Sequence, residues 1–413
     1  MTQDCCATPR DPLMPVEEAR ARILRMVSPV TGTEQVPLAG ALGRVLARAV
    51  VSPMDVPAFD NSAMDGYAVR HADLAEGAVL RVVGRSMAGA PWPGTVEAGE
   101  AVRIMTGALL PEGADTVVMQ ERVEVEGERL RIEDEPSPGA NVRRAGEDIR
   151  RGETVLAAGH RVNAADIGLL ASVGVTELPV RRRPRVAFFS TGDELVPPGR
   201  PLAPGQIHDS NRHVLRAVLQ RLDMEAHDLG VVPDERAATE EVLEEATAFA
   251  DAVITSGGVS VGEADYVKET VERMGELALW RIRMKPGKPL AVGKIGRMLF
   301  FGLPGNPVST LVTFLQFVRP ALERLAGSEP RPPLRLEVPL AEGLRRNPGR
   351  QEYLRGRLER DARGRLQVRP NGPQGSHVMT SFREADCFIV LPPEVAEVAA
   401  GESVTVEPFC GLP

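Results

Sequence analysis

The middle of the chain alternates short apolar runs with segments in which apolar residues recur at helical spacing. The elements predicted from residue 185 onward are strands at 185–190, 226–232 and 252–256 and between 278 and 301, and helices at 211–222, 235–250, 264–274 and 307–326. Strands that alternate with helices are typical of a mostly parallel sheet covered on both faces. We therefore predict a three-layer α/β domain at residues 184–327.

The pattern differs on both sides of this domain. Residues 14–27 have the apolar spacing of a helix, and short apolar runs broken by glycine and proline predict a compact β-rich domain at 52–151. The flanking segments 36–51 and 152–183 are expected to pack on each other. After a break rich in glycine and proline, the end of the chain shows only short strands, which predicts a small β barrel or a sandwich.

These elements describe a multidomain α/β plus β protein. The predicted segments are an N-terminal helix with a linking segment (1–51), a β-rich inserted domain (52–151), a second linking segment (152–183), the α/β domain (184–327) and a C-terminal β-barrel domain (334–413).

Composition narrows the class of protein. The 413 residues carry a net charge of −8, and this acidic balance argues against nucleic acid or an anionic membrane surface as the main partner. No apolar run approaches the roughly 18 residues of a membrane-spanning helix, so we expect a cytoplasmic protein that acts on small molecules. Four cysteines do not form a disulfide framework in a chain of this length, and the six histidines match no zinc motif.

Three glycine-containing turns, at 190–194, 255–265 and 302–309, follow directly on predicted strands of the α/β domain. Open α/β sheets bind ligands in one crevice at the carboxyl ends of their strands. Backbone N–H groups of glycine turns and of helix starts can hold phosphate or another oxyanion there. The candidate binding residues on these turns are Gly192, Ser256, Gly257, Gly258, Ser260, Pro304, Gly305, Asn306, Pro307 and Ser309.

Charged residues accompany these turns. Glu194 and Asp265 lie in two of them, and carboxylates beside an anion site indicate a bridging hard cation such as Mg²⁺. The 49 basic residues include only four lysines, and two of these, Lys285 and Lys288, lie three residues apart. Where arginine is the usual cation, such a pair indicates a site that needs a compact ammonium group; the alternative is a chance pair in a surface turn.

The β-rich domain contributes the segment 60–69, which reads Asp-Asn-Ser-Ala-Met-Asp-Gly-Tyr-Ala-Val. A turn capped by Asx side chains explains it as well as a functional role does. The segments 103–107 and 143–148 are equally compatible with a solvated face.

Five of these motifs together resemble the molybdopterin molybdenumtransferase family, which includes the E domain of gephyrin. They are 60–68, 190–195, 256–265, 285–289 and 302–309, and the resemblance runs in order over nearly the whole chain. It implies that the α/β domain is like that of molybdopterin adenylyltransferases. It also implies a cytoplasmic homodimer, with an active site shared across the dimer, that inserts molybdate into adenylylated molybdopterin and releases AMP in the presence of Mg²⁺.

The resemblance also implies roles for individual residues. Glu194, Asp234 and Asp265 would bind Mg²⁺ and assist phosphate cleavage, while Lys285, Lys288 and Ser309 would bind molybdate or the phosphates. The further residues that it implies are Arg355 and Ser376 as molybdate ligands, and Asp65, Thr106 and Asp148 in the cleft. The residues predicted to be catalytic are Asp65, Glu194, Asp234, Asp265 and Lys285. Arg281 departs from the family pattern, since relatives often carry lysine there.

Two other functions stay open at this point. An adenylyltransferase of the same pathway would share the α/β domain and its turns but would leave the two β-rich regions unexplained. A non-catalytic scaffold would not need the acids and lysines of the crevice. Consumption of ATP as against release of AMP separates the first alternative, and molybdate binding separates the second.

Overall fold

The computed structural model describes residues 13–75, 77–258 and 266–409, which form two compact units. The described residues up to Glu34, Gly43–Val45 and the residues from Arg181 onward belong to the first unit. Gln35–Leu42 and Leu46–Val180 belong to the second unit. None of the described helices is long and apolar enough to cross a membrane.

The first unit is built on a six-stranded central sheet. Its strands are, in spatial order, Glu225–Val232, Arg185–Thr191, Ala252–Ser256, Met298–Leu303, Pro289–Ile295 and Glu276–Arg281. The first four strands are parallel, as predicted, and the last two are antiparallel. The sheet is therefore mixed, because the strands after residue 275 follow one another by short connections that leave no room for a crossover helix.

Helices cover both faces of the central sheet. They are Val16–Met26, Asn211–Arg221, Arg236–Phe249, Tyr266–Met274, Pro307–Thr313 and Arg319–Leu325, with a π-helical turn at Phe314–Val318. Successive residues of a strand point to opposite faces. Phe188 accordingly packs in one core with Leu215 and Phe301, while Phe189 packs in a second core with Leu243 and Phe300. This gives the three layers that the apolar pattern predicts.

A second sheet of the first unit, the C-terminal sheet, has its own core around Val368, Ile389 and Val406. Its strands are, in spatial order, Met284–Lys285, Gln351–Arg360, Cys387–Leu391, Ser403–Pro408 and Leu336–Pro339, with Leu366–Pro370 paired to Gln351–Arg360. A bridge joins Leu340 to Val368. The remaining short elements of this unit are the strand pairs Leu195–Val196 with Ile207–His208 and Leu344–Arg345 with Glu397–Val398, and the 3₁₀ turn Met379–Phe382.

The second unit contains another six-stranded sheet. Its strands are, in spatial order, Thr116–Met119, Gly66–Val69, Glu100–Ile104, Val79–Ser86, Arg129–Ile132 and Val123–Glu126. Leu46, Leu156 and Leu170 share a separate core in this unit, which joins the two segments that flank the β-rich region.

Its helix is Ala164–Ser172, and the Asn163 side chain accepts hydrogen bonds at the helix start. The short elements of this unit are Leu38–Gly40, Val50–Val51, Asn61–Ser62, His71–Asp73, Gln120–Arg122, Val142–Arg143 and Thr154–Leu156, while Thr33–Pro37 and Glu177–Arg181 cross the unit boundaries. The division into five segments stays a prediction.

Candidate active site

A cavity of about 1420 Å³ opens in the first unit, where three parallel strands of the central sheet end at Thr191, Ser256 and Leu303. The described parts of the three glycine-containing turns lie on its wall. The predicted site residues that line the cavity are Gly192, Glu194, Asp234, Ser256, Gly257, Gly258, Lys285, Lys288, Pro304, Gly305, Asn306, Pro307, Ser309 and Ser376. Ser260 and Asp265 lie outside the described residues.

Glycine is needed where the turn after Ser256 approaches the neighbouring strand. Gly257 has a φ of +95°, and a Cβ atom there would lie 2.7 Å from the carbonyl oxygen of Thr191. The Gly257 N–H donates to the Leu303 carbonyl at 3.1 Å, and the Val308 N–H donates to the Ser376 carbonyl at 3.0 Å. These two amides therefore hold segments of the wall together and are not available to an anion.

One part of the cavity wall is acidic. Glu194 and Asp234 both line the cavity, and Asp193 accepts a hydrogen bond from the Asp234 N–H at 3.3 Å. Partial desolvation, together with the neighbouring carboxylates of Asp193 and Glu194, raises the pKa of Asp234 above its ordinary value. A bound cation would relieve this repulsion, and carboxylate oxygens are the type of ligand that Mg²⁺ takes. Within residues 13–75, 77–258 and 266–409, no group of three acidic, histidine or cysteine side chains forms a complete metal site.

Another part of the wall is basic and carries Lys285 and Lys288. The Lys285 ammonium contacts Glu352, with 2.5 Å between Nζ and Oε1. Met284–Lys285 pairs in parallel with Gln351–Glu352 of the C-terminal sheet, and this register places the two side chains together. Glu352 is buried, and the guanidinium of Arg346 lies 3.7 Å from its other oxygen. The Lys285 side chain itself is half exposed.

Two arginines of the C-terminal sheet region differ in their surroundings. Arg355, predicted as a molybdate ligand, is fully buried and is not among the residues that line the cavity. Its Nε donates to Ser381 Oγ at 2.8 Å, its Nη2 donates to the Gly375 carbonyl at 3.4 Å, and burial lowers its pKa to about 10. Arg350, which was not predicted, does line the cavity. Arg355 thus supports the loop that carries Ser376 rather than facing the cavity itself.

The predicted residues of the second unit form a smaller group. The backbone N–H and the hydroxyl of Thr106 both donate to Asp65 Oδ1 at 2.8 Å, and these hydrogen bonds hold the pKa of Asp65 below its usual range. Arg103 stacks on the Tyr67 ring, 5.0 Å from its centroid, and donates to the Gly66 carbonyl. The structure therefore brings Asp65 and Thr106 into contact. Asp148 is exposed in a turn, where its N–H donates to the Val56 carbonyl.

Comparison with known proteins shows the family. Residues 14–174 match the MoeA N-terminal region (domain I and II), residues 187–324 match a probable molybdopterin binding domain, and residues 337–409 match the MoeA C-terminal region (domain IV). A molybdopterin molybdenumtransferase of Haemophilus influenzae is 44% identical over 399 residues, which is 96% of this chain and 99% of that protein. The chain belongs to the MoeA family.

Other MoeA-family proteins agree with this assignment. A molybdopterin molybdenumtransferase of a Nostoc species is 40% identical over 91% of this chain and 88% of its own length. A crystal structure of the molybdopterin biosynthesis MoeA protein from Pyrococcus horikoshii, 29% identical, covers 96% of this chain and all of its own, with a TM-score of 0.83. The match therefore extends over both units.

Several cavity residues of this MoeA-family chain were not predicted. Asn211 donates from Nδ2 to Ser256 Oγ and to the Gly305 carbonyl, both at 2.7 Å, and so ties two of the glycine turns together. His208, Asp209, Arg350, Gln374 and His377 also line the cavity. Gly305 lies 94 positions from Asn211 in sequence, so no local sequence pattern predicts this contact. His377 stands next to the predicted Ser376, and this position makes it the one histidine of interest in the sequence.

Proposed function

We propose that this protein is a molybdopterin molybdenumtransferase, which inserts molybdate into adenylylated molybdopterin and releases AMP. The observation that carries the proposal is that one cavity combines an acidic wall with a basic wall. Glu194 and Asp234 form the first, while Lys285, Lys288 and Arg350 contribute to the second. A substrate that brings phosphate groups and a second oxyanion needs both kinds of wall.

The basic wall binds the oxyanions. Lys285, Lys288 and Arg350 offer charged donors, while Ser309 and Ser376 offer hydroxyl groups that can donate to molybdate or phosphate oxygens. Glu352 holds the Lys285 ammonium at the edge of the C-terminal sheet, so that this donor is placed before the ligand arrives. Charge that develops on the phosphates as the adenylate bond breaks is stabilised by donors that are already in position.

The acidic wall suits a divalent cation. Glu194 and Asp234 would hold Mg²⁺, and the family resemblance adds Asp265. When bound, Mg²⁺ supplies positive charge to the phosphate oxygens.

The second unit contributes the Asp65–Thr106 pair to the proposal. Two hydrogen bonds to Oδ1 fix the orientation of the Asp65 carboxylate and keep it ionised. An oriented, ionised carboxylate can act as a base or accept a hydrogen bond from a substrate N–H group. Asp148 is proposed as a substrate contact on the strength of the resemblance. The proposal further includes a cytoplasmic homodimer, which light scattering and cell fractionation test directly.

The decisive experiment supplies the purified protein with adenylylated molybdopterin, molybdate and Mg²⁺ and measures AMP. Release of AMP that depends on molybdate supports the proposal. Consumption of ATP with molybdopterin would instead favour an adenylyltransferase, and a protein that neither releases AMP nor binds molybdate would favour a scaffold. A Lys294→Met variant provides a control, because Lys294 lies opposite Glu276 in the strand pairing of the central sheet and does not line the cavity.

A further inference from the structure

A buried carboxylate, Asp209, belongs to the wall of the same cavity although the proposed ligands are anions. Asp209 is 1% exposed and lines the cavity just before the helix Asn211–Arg221. Its Oδ1 accepts hydrogen bonds from the Ser190 hydroxyl and the Arg212 N–H, each at 3.2 Å. A carboxylate buried in this position would repel a phosphate or molybdate unless its charge were compensated.

Arg212 supplies the compensating charge. Its Nε donates to Asp209 Oδ2 at 3.0 Å, and its Nη1 donates to both oxygens of Asp228 at 3.0 and 2.9 Å. Over the part of the chain that the structure describes, Arg212 is the one lysine or arginine whose side chain lies within 4 Å of Asp209. Asp228 has a second cation, since Arg216 also donates to it.

The four side chains Asp209, Arg212, Asp228 and Arg216 form an electrically neutral cluster that starts at the cavity and ends at the edge strand of the central sheet. Loss of Arg212 would leave the cavity side of this cluster negative, because no other lysine or arginine of the described residues lies within 4 Å of Asp209. Loss of Arg216 removes the same charge from the far side, where Arg212 still pairs with Asp228. The two arginines are therefore unequal in their effect on the cavity.

We propose that Arg212 is a positioning residue that neutralises Asp209 and thereby sets the affinity of the cavity for anionic ligands. The inference rests on the proposed function only in that the ligand is an anion. An uncompensated unit charge about 10 Å from a singly charged ligand, in a medium of effective dielectric about 20, changes the binding constant of that ligand roughly tenfold. A change of this size is expected for anion binding when Arg212 is replaced.

The test measures AMP and molybdate binding by isothermal titration calorimetry at low and high salt. Arg212→Met is expected to weaken AMP binding about tenfold, more at low salt than at high salt. The matched variant Arg216→Met is expected to bind within about twofold of wild type, because its side chain is 48% exposed and lies on the far side of the cluster. Circular dichroism checks that both variants are folded.

The double variant Asp209→Asn/Arg212→Met separates charge from structure. If compensation is the role of Arg212, removal of both charges restores AMP binding to within a few-fold of wild type, although the hydrogen-bonded cluster is still broken. Asp209→Asn alone is expected to bind AMP at least as tightly as wild type, and this result does not depend on whether Arg212→Met folds.

The outcomes distinguish the two proposals. Unchanged AMP binding in folded Arg212→Met, no recovery in the double variant, or weaker binding in Asp209→Asn would each overturn the role of Arg212 while the transferase proposal stands. Wild-type protein that binds AMP and molybdate without releasing AMP from substrate would overturn the transferase proposal alone. Wild-type protein that binds neither anion would overturn both.

Discussion

Lys285 and Glu352 allow activity and stability to be separated at one contact. The Lys285 side chain is 53% exposed, so its ion pair with Glu352 is screened by solvent and contributes at most about 1 kcal/mol to stability. For a unit of this size, such a loss lowers the melting temperature by no more than about 4 °C. Lys285→Met is therefore expected to fold normally and to lose AMP release by about a hundredfold or more, because a charged donor to the substrate is gone.

Glu352→Gln is expected to lower the stability of the protein more than Lys285→Met does. The Arg346 side chain is 6% exposed and lies 3.7 Å from Glu352, so the variant removes the carboxylate that interacts most strongly with this buried guanidinium. Burial already lowers the pKa of Arg346, and the carboxylates of Glu352 and Glu394 oppose that shift. Removal of one partner from a buried pair costs roughly 3–5 kcal/mol. The expected fall in melting temperature is thus several times that of Lys285→Met.

Differential scanning fluorimetry and the AMP assay, run on wild type, both variants and Lys294→Met, check this reasoning. Equal melting temperatures for Lys285→Met and Glu352→Gln would refute the assignment of Arg346 as the dependent partner. Normal AMP release by Lys285→Met would refute the role of its ammonium group.

Three further predictions concern the other side chains of the site. Arg350→Ala should weaken the response of AMP release to molybdate and leave the melting temperature within a few degrees of wild type. Arg355→Met should lower the melting temperature, because Ser381 and Gly375 lose a buried donor. The reverse pattern would contradict the placement of both arginines. Asp234 has a raised pKa, so its ionised form destabilises the fold increasingly as the pH rises above 3.8 and fully once the pH exceeds the folded-state pKa. Asp234→Asn should therefore melt slightly higher at neutral pH and lose the Mg²⁺-dependent rise in melting temperature expected of wild type, and a rise equal to that of wild type would exclude this residue as a metal ligand. Asp265→Asn should retain the wild-type melting temperature and lose AMP release by about a hundredfold, so that unchanged turnover at saturating substrate would remove Asp265 from the site.

The sequence was most informative where the determinants are local. The alternation of Phe188 and Phe189 between two cores follows from the two-residue period of a strand, and the turn at Gly257 follows from a backbone that only glycine adopts easily. The layers, the strand ends and the cavity at those ends could therefore be predicted from residue pattern alone.

The sequence was less informative where residues distant in the chain meet. The side chain of Asn211 joins Ser256 to Gly305, and Met284–Lys285 leaves the central sheet region to pair with a strand that begins at Gln351. Arg355 matched a family position but is buried behind the cavity wall, while Arg350, five residues earlier, faces the cavity. Which of two nearby arginines faces the cavity depends on how this segment is oriented, and its orientation is set by partners that no local pattern reveals.

The two-residue strand Met284–Lys285 also bears on how this protein could be recombined with its relatives. It precedes the break at 327–333 in sequence, yet it supplies an edge of the sheet formed after that break, and Lys285 lies against a residue of that sheet. If residues 334–413 were exchanged with those of a relative, the new C-terminal sheet would receive its edge strand and Lys285 from the parent that supplies the preceding residues. Compatibility at Lys285 and Glu352, rather than at the junction itself, would decide whether such a hybrid is active.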